Sequence, residues 1–193
     1  MDEENKTVAK QRIYDILEKI AGEDSDLAVR INYCVPLSIS IDPKDFKLYI
    51  EQNFKRSKFM MDLCIGKSLE KQYEDTGLED EVLPGVCIDL TSDFKRDVYS
   101  CSERTRSLRH YYPQARYGVL LIAEDHIGVK RKTNLDSSKE IDFIEAIGNI
   151  IEYEDKLDHV LRSIVEAQLQ SSKNLAQAIF GDGKLQSIRK TYS

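Results

Sequence analysis

Two short runs of almost unbroken apolar residues, 86–90 (Val-Cys-Ile-Asp-Leu) and 117–123 (Tyr-Gly-Val-Leu-Leu-Ile-Ala), bracket a polar segment running from Asp93 to about His110. Runs this short and this apolar read as strands buried on both faces, and the segment between them has the length of a helix. A strand, a helix and a second strand at this spacing form a crossover unit, so the two strands lie parallel in one sheet. That unit fixes the class of the chain as α/β and leaves the remaining elements to be arranged around it.

The flanking sequence supplies them. Val8, Ile13, Ile16, Leu17 and Ile20 form one stripe at helical spacing, closed by Gly22, which predicts an N-terminal helix. Residues 28–35 and 37–41 alternate with period two on either side of Pro36 and read as strands. Asp42 and Pro43 look like a cap and first residue of a short helix over 43–55, with Phe46, Ile50 and Phe54 every four residues. Residues 59–66, broken only by Asp62, read as another buried strand, and 76–81 as an acidic loop. A short strand is expected over 127–132.

Beyond it, Ser137 and Glu140 have capping-box spacing. The apolar positions Phe143, Ile147, Ile150, Leu157, Leu161 and Ile164 step by fours and threes, interrupted at Glu154. This predicts a helix to about residue 171 and a second over 172–180, followed by a turn at 181–183 and a loose tail. The expected architecture is a small mixed sheet with a crossover unit, an N-terminal helix and a long C-terminal helical segment. Residues 1–134 form the α/β domain and 135–193 a helical extension.

Composition excludes several classes. With 41% hydrophobic and 32% charged residues among 193, the chain is neither disordered nor membrane-embedded. No run approaches the roughly 18 apolar residues of a membrane helix. The opening Met-Asp-Glu-Glu-Asn-Lys is acidic where a signal peptide is basic and then apolar, so a cytoplasmic location is expected. Cys34, Cys64, Cys87 and Cys101 are scattered, without the close pairs that zinc or iron–sulfur ligation needs, and read as reduced thiols. The net charge is −6, yet residues 93–132 carry nine Lys or Arg against five Asp or Glu. A basic region on an acidic protein can meet phosphate locally.

Two of the expected strands carry a lone acid in apolar company, Asp62 in Met-Met-Asp-Leu-Cys-Ile and Asp89 in Val-Cys-Ile-Asp-Leu-Thr. A carboxylate so placed requires a hydrogen-bond donor, a cation or a metal. Adjacent strands that bring both together would let them share a hard cation such as Mg²⁺, which activates water and stabilises charge on a scissile phosphate. Over roughly residues 58–133 this layout resembles the restriction-endonuclease-like superfamily, especially the N-terminal nuclease domain of type I restriction enzyme motor subunits. In that family an Asp ends one strand, an acid-x-Lys motif lies on the next, and a helix and a strand reading like Tyr-Gly-Val-Leu-Leu follow. The resemblance implies a metal-dependent phosphodiesterase acting on DNA, with Asp62 and Asp89 as metal ligands and Glu18, on the first helix, as an additional acid. The family's lysine falls on Thr91, which carries no charge; Lys95, one helical turn onward, is the candidate replacement for polarising the attacking water.

The segment between the two strands is rich in cations. Arg104, Arg106, Arg109 and His110 lie on the expected helix and are candidates for phosphate contact, as is the run Lys130, Arg131, Lys132. Arg104 and His110 also satisfy the R-x(4–6)-H spacing that resembles the HEPN ribonucleases, an all-helical family, whereas this segment is flanked by strands. The rival reading is a non-enzymatic subunit that self-associates through residues 143–164, whose apolar spacing mimics a coiled-coil seam.

Overall fold

The computed structural model describes residues 3–35, 39–41, 48–50, 59–68, 82–92, 94–122, 140–147 and 154–180. The elements follow in the order α1 (Glu3–Gly22), β1 (Leu27–Val35), β2 (Ile39–Ile41), β3 (Leu48–Ile50), β4 (Phe59–Ser68), β5 (Val82–Thr91), α2 (Phe94–Tyr111), β6 (Arg116–Ile122), β7 (Phe143–Ile147) and α3 (Glu154–Phe180). A five-stranded mixed sheet has the order β1-β4-β5-β6-β7, and β2 and β3 form a separate antiparallel pair. β1, β4 and β5 run antiparallel, while β5, β6 and β7 are parallel. The crossover expected between residues 86 and 123 is therefore present, with α2 as its helix.

Both faces of the sheet are covered, which is why the central strands read as continuous apolar runs. On one face α1 and α3 pack Ile13, Leu17, Leu161 and Val165 against Leu63, Ile65, Ile88 and Leu120. On the other, Leu108 of α2 and the following Tyr112 pack with Met61, Cys64, Cys87, Tyr117 and Val119. From Val86 to Leu90 in β5 the alternation is regular: Val86, Ile88 and Leu90 serve the first core, Cys87 the second. Along β1 and β4 it is not. Val29 belongs to the first core, but Tyr33 and Val35 to the second; in β4, Leu63 and Ile65 belong to the first and Met61 to the second. The switch falls where the β1–β4 pairing passes from Ile31↔Leu63 to Tyr33↔Met61, at Asn32, whose φ of 50° is left-handed. Asparagine adopts that conformation more readily than most residues.

Several expectations are corrected. Phe143–Ile147 is not the start of a helix but the edge strand β7, paired in parallel with β6 from Gly118↔Phe143 to Ile122↔Ile147. Apolar residues four apart suit one helix face and, equally, one strand face, so the spacing alone could not separate the two. The sheet decides: Ile144 and Ala146 pack on the α2 side, Phe143 and Ile147 on the other. Glu140 accordingly sits in a turn before a strand, not in a capping box. Within the helix expected over 43–55, residues 48–50 are strand β3; the rest lies outside the described residues, as do the strand expected over 127–132 and Ser137. The two C-terminal helices are one, since α3 runs unbroken through Ser172. Val8 is exposed, and Ala9 takes its place in the buried stripe of α1.

The β4–β5 register shifts between Ile65 and Gly66, where Ile65 pairs with Val86 and Gly66 with Pro84. This leaves Gly85 as the extra residue of a bulge. A Cβ on Gly66 would lie 2.0 Å from the Leu83 carbonyl oxygen and 2.7 Å from the Gly85 nitrogen, both backbone atoms that cannot step aside. Gly66→Ala is expected to lower stability by roughly 1–3 kcal/mol in a denaturant titration. Leu161→Ala, at the centre of the α3 contact with the sheet, should cost about 2–5 kcal/mol. A loss well below that range would show that α3 is not part of the cooperative core.

Candidate functional site

Asp62 and Asp89 meet across the β4–β5 seam. The ladder runs to Leu63↔Ile88, and Asp62 and Asp89 would form its next pair. There the carboxylates replace ladder carbonyls. The Asp62 amide donates to Asp89 Oδ1 at 3.1 Å, and the Leu90 amide donates to Asp62 Oδ2 at 2.8 Å. The two strands are thus joined by reciprocal side-chain-to-backbone bonds at the point where β4 changes face.

Each acid takes its cations from a different side of the sheet. Two lysines of α1 reach Asp62, Lys10 Nζ at 2.5 Å from Oδ1 and Lys6 Nζ at 3.3 Å from Oδ2. Lys10 also donates to Asn32 Oδ1 at 2.7 Å, tying the left-handed residue of β1 to the same cluster. Asp89, which is 4% exposed, accepts at Oδ2 from Arg104 Nη1 of α2 and from the Tyr117 hydroxyl of β6 at 2.6 Å. All four carboxylate oxygens are therefore engaged, with two lysines and one arginine set against two acids. Burial pushes the Asp62 carboxyl up, but the Lys10 hydrogen bond, the Leu90 amide and the Lys6 charge outweigh it and hold the group below the ordinary carboxylate value. Burial, reinforced by the negative Asp89, pushes the Tyr117 phenol far up, so it stays a neutral donor. Burial opposes the Arg104 charge, yet the Asp89 carboxylate more than restores it.

The other candidates are placed as follows. Thr91 donates its hydroxyl to Asp97 Oδ2 at 2.6 Å, an acid in the first turn of α2, where the helix dipole favours it. Lys95 lies in that same turn, and its side chain is outside the described residues. Glu18 accepts a hydrogen bond from Tyr14 on the exposed side of α1; eight residues from Lys10, it sits about 12 Å along the helix from the Asp62 cluster. Arg106 pairs with Glu140 at 3.1 Å, and Arg109 with Asp142 at 2.9 Å. His110 is exposed and stands edge-on to Tyr111; six residues from Arg104, it lies about 240° round α2 and roughly 9 Å along it. Lys130, Arg131 and Lys132 lie outside the described residues.

Mg²⁺ needs several free hard oxygens. Here the Asp62 and Asp89 oxygens accept from lysine, arginine, tyrosine and backbone donors, contacts that a bound ion would have to replace. Among the described residues no group of three or more His, Cys, Asp or Glu side chains is placed to hold a metal ion. The Cys64 and Cys87 thiols face each other at 3.7 Å as cross-strand neighbours; the hydrogen bond from Cys87 to Cys64, with burial, raises the Cys87 thiol well above its ordinary value.

Sequence reasoning missed Lys6, Lys10, Asn32 and Tyr117. Lys6 and Lys10 are four apart beside the apolar stripe of α1, and Tyr117 is a polar-tipped ring opening a buried strand; both are signals of a buried acid's partner. Asp142, which accepts from Arg109, Arg116 and the Tyr117 amide, had no sequence signal. Compared with protein-family models, curated proteins and solved structures, the chain matches none. Among the described residues no helix is long and apolar enough to cross a membrane.

Because Asp62 titrates below its ordinary value of 3.8 when folded, the stabilisation it brings is complete above that value. It is lost as pH falls through the lower folded value. Asp62→Asn should flatten the fall in unfolding free energy below about pH 4, measured by urea titration across pH. Lys10→Met, which leaves Asp62 Oδ1 and Asn32 without their shared donor, is expected to cost roughly 1–3 kcal/mol at neutral pH.

Proposed function

We propose that the chain is a non-cleaving relative of the metal-dependent DNA phosphodiesterases it resembles, one that binds the nucleic-acid backbone. The reading is supported by the order of elements: an acid on each of two adjacent strands, then a helix and a strand parallel to the second of them, as the resemblance implies. The observation that carries the loss of cleavage is the saturation of Asp62 and Asp89 by Lys10, Lys6, Arg104 and Tyr117. These groups compensate the buried charge that a divalent ion would otherwise compensate, and Thr91 supplies no cation. Backbone binding falls to the basic side chains of α2 that reach the surface, Arg104 at 36% exposed and Arg106 at 71%. The Arg106–Glu140 pair is open to solvent, so exchanging the carboxylate for phosphate costs little.

The rival reading, an assembly subunit joined through residues 143–164, has less to draw on. Leu157 and Leu161 of its seam are buried in the core of the same chain, Phe143 and Ile147 are in β7, and Ile150 lies outside the described residues.

The test is a fluorescence-anisotropy titration of duplex DNA over a range of salt, with a parallel incubation in Mg²⁺ or Mn²⁺. Binding is expected at low salt, weakening as salt rises, with Arg106→Ala reducing the slope of log affinity against log salt by about 1. The DNA should remain intact in either metal. Metal-dependent cleavage that Asp89→Ala abolishes would overturn the non-cleaving reading, and no binding at low salt would overturn the nucleic-acid reading.

A further inference from the structure

A cavity of about 210 Å³ opens between the end of the sheet and α3, remote from the acid pair. Its β4 wall is Lys67, five residues beyond Asp62 and so about 16 Å along the strand. Opposite Lys67 across the β1–β4 ladder is Leu27, and Leu83, Leu169 and Ala176 complete an apolar body. The bulge at Gly85 brings the backbone of β5 close beneath α3: a Cβ there would lie 3.2 Å from Leu169 Cδ2.

Two buried polar side chains line this cavity, Gln114 from the turn before β6 and Ser172 from the middle of α3, each 5% exposed. Among the described residues neither side chain has a hydrogen-bond partner, although buried carboxamides and hydroxyls are rarely left so. Neither has a polar atom sealed from solvent, so both are open to whatever occupies the cavity. Its volume equals that of about seven waters or one small organic molecule.

The rim carries opposite charges in distinct states. Lys173 and Asp24 are paired at 2.9 Å, which neutralises one side. Lys67 and Asp26 are exposed, adjacent at the end of the β1–β4 ladder, and without an ion-pair partner among the described residues. A cation and an anion unpaired among the described residues at the mouth, apolar walls, and a neutral donor–acceptor pair inside are complementary to one kind of molecule. It bears an ammonium and a carboxylate at one end and a neutral polar group on a short aliphatic arm. We propose that this cavity binds a free amino acid with a carboxamide or hydroxyl side chain, its carboxylate on Lys67, its ammonium on Asp26 and its polar end on Gln114 and Ser172. The proposal does not rest on the nucleic-acid reading, since none of these residues touches the Asp62–Asp89 cluster.

Calorimetric titration of the full chain with glutamine, asparagine, serine and threonine tests it, with leucine, N-acetylglutamine and the decarboxylated amine of glutamine as controls. At least one of the four is expected to bind in the millimolar range or tighter. Each control, and each of the variants Gln114→Leu and Lys67→Ala, should weaken that binding by at least about tenfold. Lys67 is exposed, so Lys67→Ala carries the test should Gln114→Leu fail to fold. No binding by any of the four, equal binding of leucine, or affinity unchanged in Lys67→Ala would overturn the proposal.

Discussion

A buried carboxylate and a partly buried one in a sheet ought to destabilise it, and here they are what joins β4 to β5. A buried acid left without donors is costly enough that it would protonate rather than stay charged. Asp62 and Asp89 avoid this by accepting backbone amides across the seam, Leu90 for one and Asp62 itself for the other. Two backbone amides thereby keep partners across the seam where its regular ladder stops. Much of the surrounding structure follows from that exchange. Lys10 reaches in from α1 and Arg104 from α2, so the helices on the two faces are each fastened to the same pair of strands. Asn32, in its left-handed conformation, receives the same Lys10 ammonium, and the face switch in β1 and β4 is centred on this cluster.

Around the seam, the antiparallel and parallel halves of the sheet are completed by different means. α1 and α3 close one face, and α2, the crossover helix, closes the other. The β6–β7 edge is tied to α2 by Asp142, which binds Arg109 and Arg116 and accepts the Tyr117 amide. Tyr117 in turn donates to Asp89. A run of polar contacts thus connects the edge strand, through β6, to the central acid pair, inside an otherwise apolar sheet.

That arrangement separates two chemistries in space. The acid pair is met by two lysines and one arginine, an excess of positive charge that reaches the surface through α1 and α2. The cavity beside α3 is lined by both signs of charge and by two neutral polar side chains, Gln114 and Ser172, without a hydrogen-bond partner among the described residues. The bulge at Gly66 and Gly85 lets α3 approach closely enough to form that cavity's wall.

The local patterns determined a good deal by themselves. Short apolar runs around a polar helical segment specified the parallel crossover, the stripe from Ile13 to Ile20 specified α1, and lone acids among apolar residues marked Asp62 and Asp89 as needing partners. Which partners was settled only in three dimensions, because Lys10, Arg104 and Tyr117 lie 52, 15 and 28 positions away from the acids they hold, and no spacing rule spans such distances. The strand β7 was illegible for a related reason: Phe143 and Ile147 fit one face of a helix as well as one face of a strand, and pairing with β6 decided between them. Likewise, nothing local to Gln114 or Ser172 marks either as unusual. Their shared exposure to one cavity arises from how α3 lies across the end of the sheet, a long-range packing outcome set by the apolar surface both elements bury.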